Sequence, residues 1–324
     1  MHFGTLPHKI KQFFVLLIKL SLVVGAFYFI YYKLTQNEDL SFKDFIAFTH
    51  KNNVFSVKNV LILSVLSIFN WVFEILKWKT LVDIIQPISF KKATEQSLGS
   101  LTASLFTPNR IGEYGAKAMY FKKEKRKKIV GINFIGNTAQ MLVTTCLGVV
   151  GLFYFNKVYH LNFDAVKIVR LCGFISLLFV AIGLLLKKTA LKVKWFSFEK
   201  TRAFYKLIST KTKLLTVVFS IIRYGIFSFQ LYYLLLIFGV HISYTNAMVI
   251  ICSMYLLASI MPSIFIFDVV VKGSIAVYLF DFAGVNQLTI LSSITLMWVL
   301  NFVIPSVLGS YYVLNFKLPN SKTI

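Results

Sequence analysis

Two stretches of this sequence carry the same short arrangement of chemistry-bearing residues. In "FTPNRIGEYGAKAMYF" (106–121), Glu113 follows Pro108 by five residues, and Lys117 follows the acid by four. In "IMPSIFIFDVVVKG" (260–273), Asp268 follows Pro262 by six residues, and Lys272 again follows the acid by four. Acid then lysine at i,i+4 share one helix face in the order that favours an ion pair. Proline suits a first helical turn, so Thr107-Pro108 and Met261-Pro262 predict the N-terminal ends of half-helices. Unpaired N–H groups and the dipole at such an end favour an anion such as a phosphate. Arg110, placed in that first turn, has the planar fork to hold one bidentately.

The surroundings make these groups unusual. Of 324 residues, 57% are hydrophobic and 15% charged, with a mean hydropathy of +0.72; a soluble domain carries about 25% charged residues. Several apolar runs approach the ~20 residues that a helix needs to cross a bilayer. The chain reads as an all-α, polytopic helical membrane protein forming one integral membrane domain over residues 1–324. A charge at membrane depth costs about 2.5–3.5 kcal/mol on insertion scales, so it is rarely idle.

Six full spans are expected, at 13–32, 57–76, 130–154, 166–186, 214–238 and 288–312. The first is longer than the apolar centre of a signal peptide and lacks a small-x-small site, so it reads as a retained helix. Orientation follows from the basic loops. "KKEKRKK" (122–128) holds six basic residues against one acid, and 187–213 holds nine against Glu199; both belong on the cytoplasmic side. Residues 33–58 nearly balance, with four lysines against Glu38, Asp39 and Asp44, and suit the outer side. A multi-pass protein of the plasma membrane (the inner one in a bacterium) with both termini cytoplasmic is the expectation.

That orientation constrains the first motif. Both flanks of 93–121 are cytoplasmic, and its 29 residues fall short of the ~40 needed for two crossings. A re-entrant hairpin turning near Thr107-Pro108 satisfies the count, provided protein or a wet cavity surrounds it. Residues 246–283 behave alike, although a full crossing by 246–267 competes. Together the flanking spans give inverted halves, 57–154 and 214–312, and paired broken segments point to a substrate site at their meeting.

Further polar residues share helix faces. Asn133, Asn137, Gln140, Thr144, Gly148 and Gly151 form one stripe, and Ser67, Asn70, Glu74 and Lys77 another. Either lines a polar pathway or packs helices together. Arg223 lies about ten residues into its span, facing substrate or a structural cavity. The candidate substrate-binding set is therefore Thr107, Pro108, Arg110, Glu113, Lys117, Pro262, Asp268, Lys272, Asn137, Gln140, Glu74 and Arg223.

Several classes of function are disfavoured. A net charge of +23 would suggest nucleic acid in a soluble chain, but here the excess sits in loops beside apolar spans, where it meets anionic lipid. Membrane phospholipids, with anionic lipid at the cytoplasmic face, are the expected partners. Cys146, Cys172 and Cys252 fall inside apolar runs without a CxxC pair, and the five histidines are scattered, so no metal or other cofactor is implied. HExxH, GxSxG and P-loop motifs are missing from the sequence.

With "FTPNRIGEYGAKAMYF" followed by a basic cluster, the sequence resembles membrane proteins related to the lysylphosphatidylglycerol synthase transmembrane region, also called flippase-like domain proteins. The resemblance rests on Thr107, Pro108, Arg110, Gly112 and Glu113, with a weaker second segment around Pro262, Asp268 and Lys272, and spans about residues 8–318. Many members carry a glycine-rich run after the second proline, where this chain has "SIFIFD". The resemblance implies handling of a polar lipid headgroup. Members that synthesise aminoacylated lipid use a separate soluble domain after the membrane region, which is not expected before Ile324. The alternatives are a membrane-embedded transferase using Glu113 or Asp268 as general acid, and a non-transporting envelope scaffold.

Overall fold

The computed structural model describes residues 42–105, 107, 111–160, 208–260 and 268–319, with Val24 and Tyr28 as isolated helical positions; the side chains of 268–271 are outside that description. The expected spans at 13–32 and 166–186 thus lie essentially outside the described residues, as do Pro108, Arg110 and Pro262.

The described residues are helical, with no strand among them. Helix α1 (Phe42–Lys51) is short. α2 (Val57–Val82) follows, capped by Ser56, whose hydroxyl accepts from the Asn59 N–H. α3 (Phe90–Ser104), capped by Ser89, and α4 (Gly112–Met119) make up the first broken segment. α5 (Lys123–Tyr159) has 37 residues and ends at His160 in the left-handed region. α6 (Thr210–Ile237) is capped by Ser209. α7 (Tyr244–Ile260) and α8 (Asp268–Asp281) make up the second broken segment. α9 (Gln287–Trp298), a π-helical turn (Val299–Val303) and α10 (Ile304–Leu314) form one continuous rod.

Four stretches are long and apolar enough to cross a membrane: α2, α5, α6 and Gln287–Leu314. They coincide with four of the six expected spans. At 1.5 Å per residue, α5 is roughly 55 Å long, which outreaches a ~30 Å hydrocarbon core and lets its basic first turns stand clear of it. By the same measure the 15 residues of α3 reach ~22 Å and the 8 of α4 ~12 Å.

Helix directions follow from paired positions. Asn59 meets Tyr233, Leu63 meets Gln230 and Phe73 meets Phe219, so α2 and α6 run antiparallel. α3 lies antiparallel on α10: the Thr102 hydroxyl donates to the Ser306 carbonyl at 2.8 Å, and Gly99 adjoins Tyr312. A Cβ at Gly309 would stand 2.2 Å from the Leu98 carbonyl oxygen, so only glycine admits this backbone approach. α7 lies antiparallel on α5 in the same manner, with Gly148 against Leu256 and Gly151 against Cys252. Small residues permitting close approach are how helices associate where lipid removes the hydrophobic drive.

Two apolar clusters form the core. One gathers Ile75, Trp78, Leu81, Ala93, Ala118, Phe121, Ile129 and Ile132 from α2 to α5. The larger gathers Leu63, Phe155, Leu231, Leu234, Ile250, Met254, Phe280, Ile294 and their neighbours. Between the two clusters, α2 buries Ser67 and Asn70, and α5 carries Asn133, Asn137 and Gln140. That interval holds the candidate site.

Candidate functional site

On α2 the polar interval is Ser67, Asn70, Glu74 and Lys77, at helical spacing that keeps them on one face. The antiparallel α6 brings Arg223 against it. Arg223 Nη1 donates to Glu74 Oε2, and the same carboxylate oxygen receives Lys77 Nζ at 2.8 Å. Arg223 Nε donates to the Asn70 carbonyl and to Asn70 Oδ1, both at 3.2 Å, and Nη1 also reaches Gln140 Oε1 on α5 at 3.2 Å. Gln140 Nε2 in turn donates to the Ser220 carbonyl.

α4 delivers the second ion pair. Glu113 and Lys117, one turn apart, meet at 2.7 Å, and Lys117 is 1% exposed. Its ammonium also donates to Asn133 Oδ1 at 3.0 Å and sits 4.3 Å from the centre of the Trp78 ring, a cation–π contact strengthened by desolvation. Trp78 is itself fixed by donating its indole N–H to Gln96 on α3 at 2.8 Å. One turn along α5, Asn137 donates to the Tyr114 hydroxyl at 2.9 Å. Buried charges require pairing and hydrogen bonds; all five are ion-paired, and Lys117 and Arg223 make further hydrogen bonds to amides.

The π-helical turn closes the network. Widened turns leave backbone carbonyls without their usual helical partner. Here Leu300 O accepts from Ser67 at 2.7 Å and Asn301 O from the Trp71 indole at 3.1 Å. Asn301 Oδ1 accepts from Asn70, and its Nδ2 donates to Gln230 on α6. A continuous polar path therefore runs Gln230–Asn301–Asn70–Arg223–Glu74–Lys77, joining α2, α6 and the α9–α10 rod.

The structure brings Glu74, Arg223 and Gln140 into one set of contacts, places Glu113 and Lys117 on the neighbouring α4, and sets Asn137 beside Tyr114. Thr107 acts at the break: its hydroxyl donates to the Ser104 carbonyl at 2.7 Å and accepts from the Gly112 N–H at 2.8 Å. Helix α4 is described from Gly112, whose N–H is held by the Thr107 hydroxyl; the expected half-helix start at Pro108 falls outside the described residues. Arg110 and Pro108 are outside the described residues, and so are Pro262 and the side chain of Asp268. Lys272 is half-buried with its ammonium 5.9 Å from the Phe302 ring. No group of three His, Cys, Asp or Glu suited to a metal occurs among the described residues.

The family model for the lysylphosphatidylglycerol synthase TM region matches residues 16–309, most of the chain. The chain belongs to that family. No match was found among curated proteins.

Within this member of the lysylphosphatidylglycerol synthase TM family, two connecting residues were not among the candidates that the sequence assigned to the site. Asn301 was legible as a polar residue in an apolar span, but its role as a hub follows from the π turn. Gln230 carried the same signal inside α6. The α5 stripe divides in two along its length: Asn133, Asn137 and Gln140 make polar contacts, whereas Gly148 and Gly151 pack against α7.

Proposed function

We propose that this chain binds the polar headgroup of a membrane lipid at the Glu74, Lys77, Glu113, Lys117 and Arg223 cluster and carries it across the plasma membrane. The observation that carries the reading is that charged groups from α2, α4 and α6 gather inside the helix bundle, beside the smaller apolar cluster, with Lys77 and Lys117 almost fully buried. Their insertion cost is accepted where a polar group must pass.

The proposed machinery is a pair of inverted halves, 57–154 and 214–312. Their packing supports it. Matching α2 with α6, α3 with α7, α4 with α8 and α5 with the α9–α10 rod, each half's first broken helix packs on the other half's last span: α3 on α10 and α7 on α5. The matched pair α2 and α6 meet antiparallel, as an axis in the membrane plane requires. In this arrangement 90–119 and 244–281 are re-entrant hairpins entering from opposite faces, and residues 13–32 and 166–186 supply the remaining crossings. Both termini face the cytoplasm, where "KKEKRKK" and the 187–213 loop contact anionic lipid.

The test is reconstitution into liposomes with labelled phospholipid in one leaflet. Wild type is expected to equalise the label between leaflets far faster than empty vesicles, and Lys117→Met and Arg223→Gln to slow it. Equal rates for all four preparations would end the reading for the lipids tried.

A further inference from the structure

The charges of the cluster do not balance. Glu74 and Glu113 stand against Lys77, Lys117 and Arg223, a surplus of one positive charge among the described buried groups. Hydrogen bonding leans the same way. Asn133 Nδ2, on a side chain 2% exposed, has no partner, and the hydrogen bonds of the partly exposed Arg223 to described residues run through Nε and Nη1, leaving Nη2 for a further acceptor. Both open positions are donors, and both call for an acceptor.

The three cations are not equally reachable. Lys77 and Lys117 are sealed at 3% and 1% exposure, while the Arg223 side chain keeps 20%. Its Nε is tethered to Asn70, so the guanidinium stays in place while its Nη edge faces Glu74. The Glu74 oxygen that takes Arg223 also takes Lys77. If Arg223 turns to another acceptor, Glu74 retains a cation and no acid is stranded in the core.

We propose that Glu74 stands in for a ligand's oxyanion, so that an incoming phosphodiester or carboxylate displaces it from Arg223 and the ion pair acts as a latch at the mouth of the site. The ligand's single negative charge cancels the surplus. Arg223 then binds it through both Nη groups, a geometry suited to phosphate and carboxylate. Further in, Lys117 and Asn133 mark the inner end of the polar stripe, ~10 Å from Gln140 at two helical turns along α5. The inference rests on the headgroup-binding reading above and names the part of the headgroup that is recognised.

Opposite signs distinguish a latch from a strut. Calorimetry in maltoside micelles would use dihexanoyl phosphatidylglycerol as the monoanionic probe, dihexanoyl phosphatidylcholine as its charge-cancelled counterpart, and inorganic phosphate as the free anion. Wild type is expected to prefer the monoanionic lipid. Glu74→Gln is expected to tighten its binding about tenfold and Arg223→Gln to weaken it by at least as much, the size of close charge-pair couplings. Both variants shifting the same way, neither shifting, or no binding of any probe by wild type and Glu74→Gln overturns the latch. Inorganic phosphate following the same opposite pattern supports it with a free oxyanion sufficient; a pattern confined to the lipid supports it with the anion recognised on a headgroup. Should Glu74→Gln fail to fold, Glu74→Asp, whose shorter arm withdraws from Arg223, is expected to tighten binding likewise. The vesicle assay separates the two proposals: label movement without the opposite pattern removes the latch alone, and the pattern without movement removes translocation alone.

Discussion

The two broken segments share a sequence pattern and differ in what covers it. In the first, Lys117 closes on Glu113 and is sealed beneath Trp78 of α2 and Asn133 of α5, at 1% exposure. In the second, Lys272 at the matching place is only half-buried, and the aromatic ring near it, Phe302 of the π turn, stands 5.9 Å away. Spacing along a helix brings an acid and a lysine to one face; the helices laid across that face decide whether the pair is desolvated. Of the two lysines, Lys117 is thus the fully desolvated one and Lys272 the more exposed.

Five substitutions would sharpen or break that contrast, each read by SDS-titration unfolding in detergent. Lys117→Met has the largest expected effect. It removes the ammonium that pairs with the buried Glu113, and breaking a buried pair costs about 3–5 kcal/mol. Next come the seats of the two segments. Gly309→Ala pushes a Cβ onto the Leu98 carbonyl and Gly151→Ala pushes one onto Cys252, each costing about 1–3 kcal/mol by overpacking. Similar losses in the two are expected if the α3–α10 and α7–α5 contacts are equivalent; a loss in one alone would break the pairing of halves.

Asn301→Leu ranks third. It strands the amides of Asn70 and Gln230, and about 1–2 kcal/mol is expected, since polar contacts between helices in membranes are worth less than intuition suggests. A loss above that of Lys117→Met would shift the centre of the network to the π turn. Last, Lys272→Met is expected to change stability by less than about 1 kcal/mol, as for an incompletely buried charge. A loss matching that of Lys117→Met would erase the difference between the segments.

Much of the site was legible before any coordinates. Glu113 and Lys117 announce an ion pair by spacing, and charged or amide residues inside apolar runs mark Glu74, Asn137, Gln140 and Arg223 as candidates. Their grouping was not legible. Glu74 and Arg223 are 149 positions apart, and no local periodicity links one span's register to another's. That Thr107 takes the Gly112 N–H at the head of α4 was not legible either, because a contact across a turn is not encoded by propensity.

The amino-acid sequence alone determined the helical membrane class, four spans that the fold bears out, and the family, because hydrocarbon tolerates only long apolar helices and the Thr-Pro-x-Arg-x-Gly-Glu motif is local. Tertiary structure alone decided that α2 meets α6 antiparallel, that one carboxylate oxygen serves two cations, and that Asn301 joins α2 to α6. Those facts depend on glycine-thin contacts between distant helices, where a fraction of an ångström of backbone approach sets which polar side chains can touch.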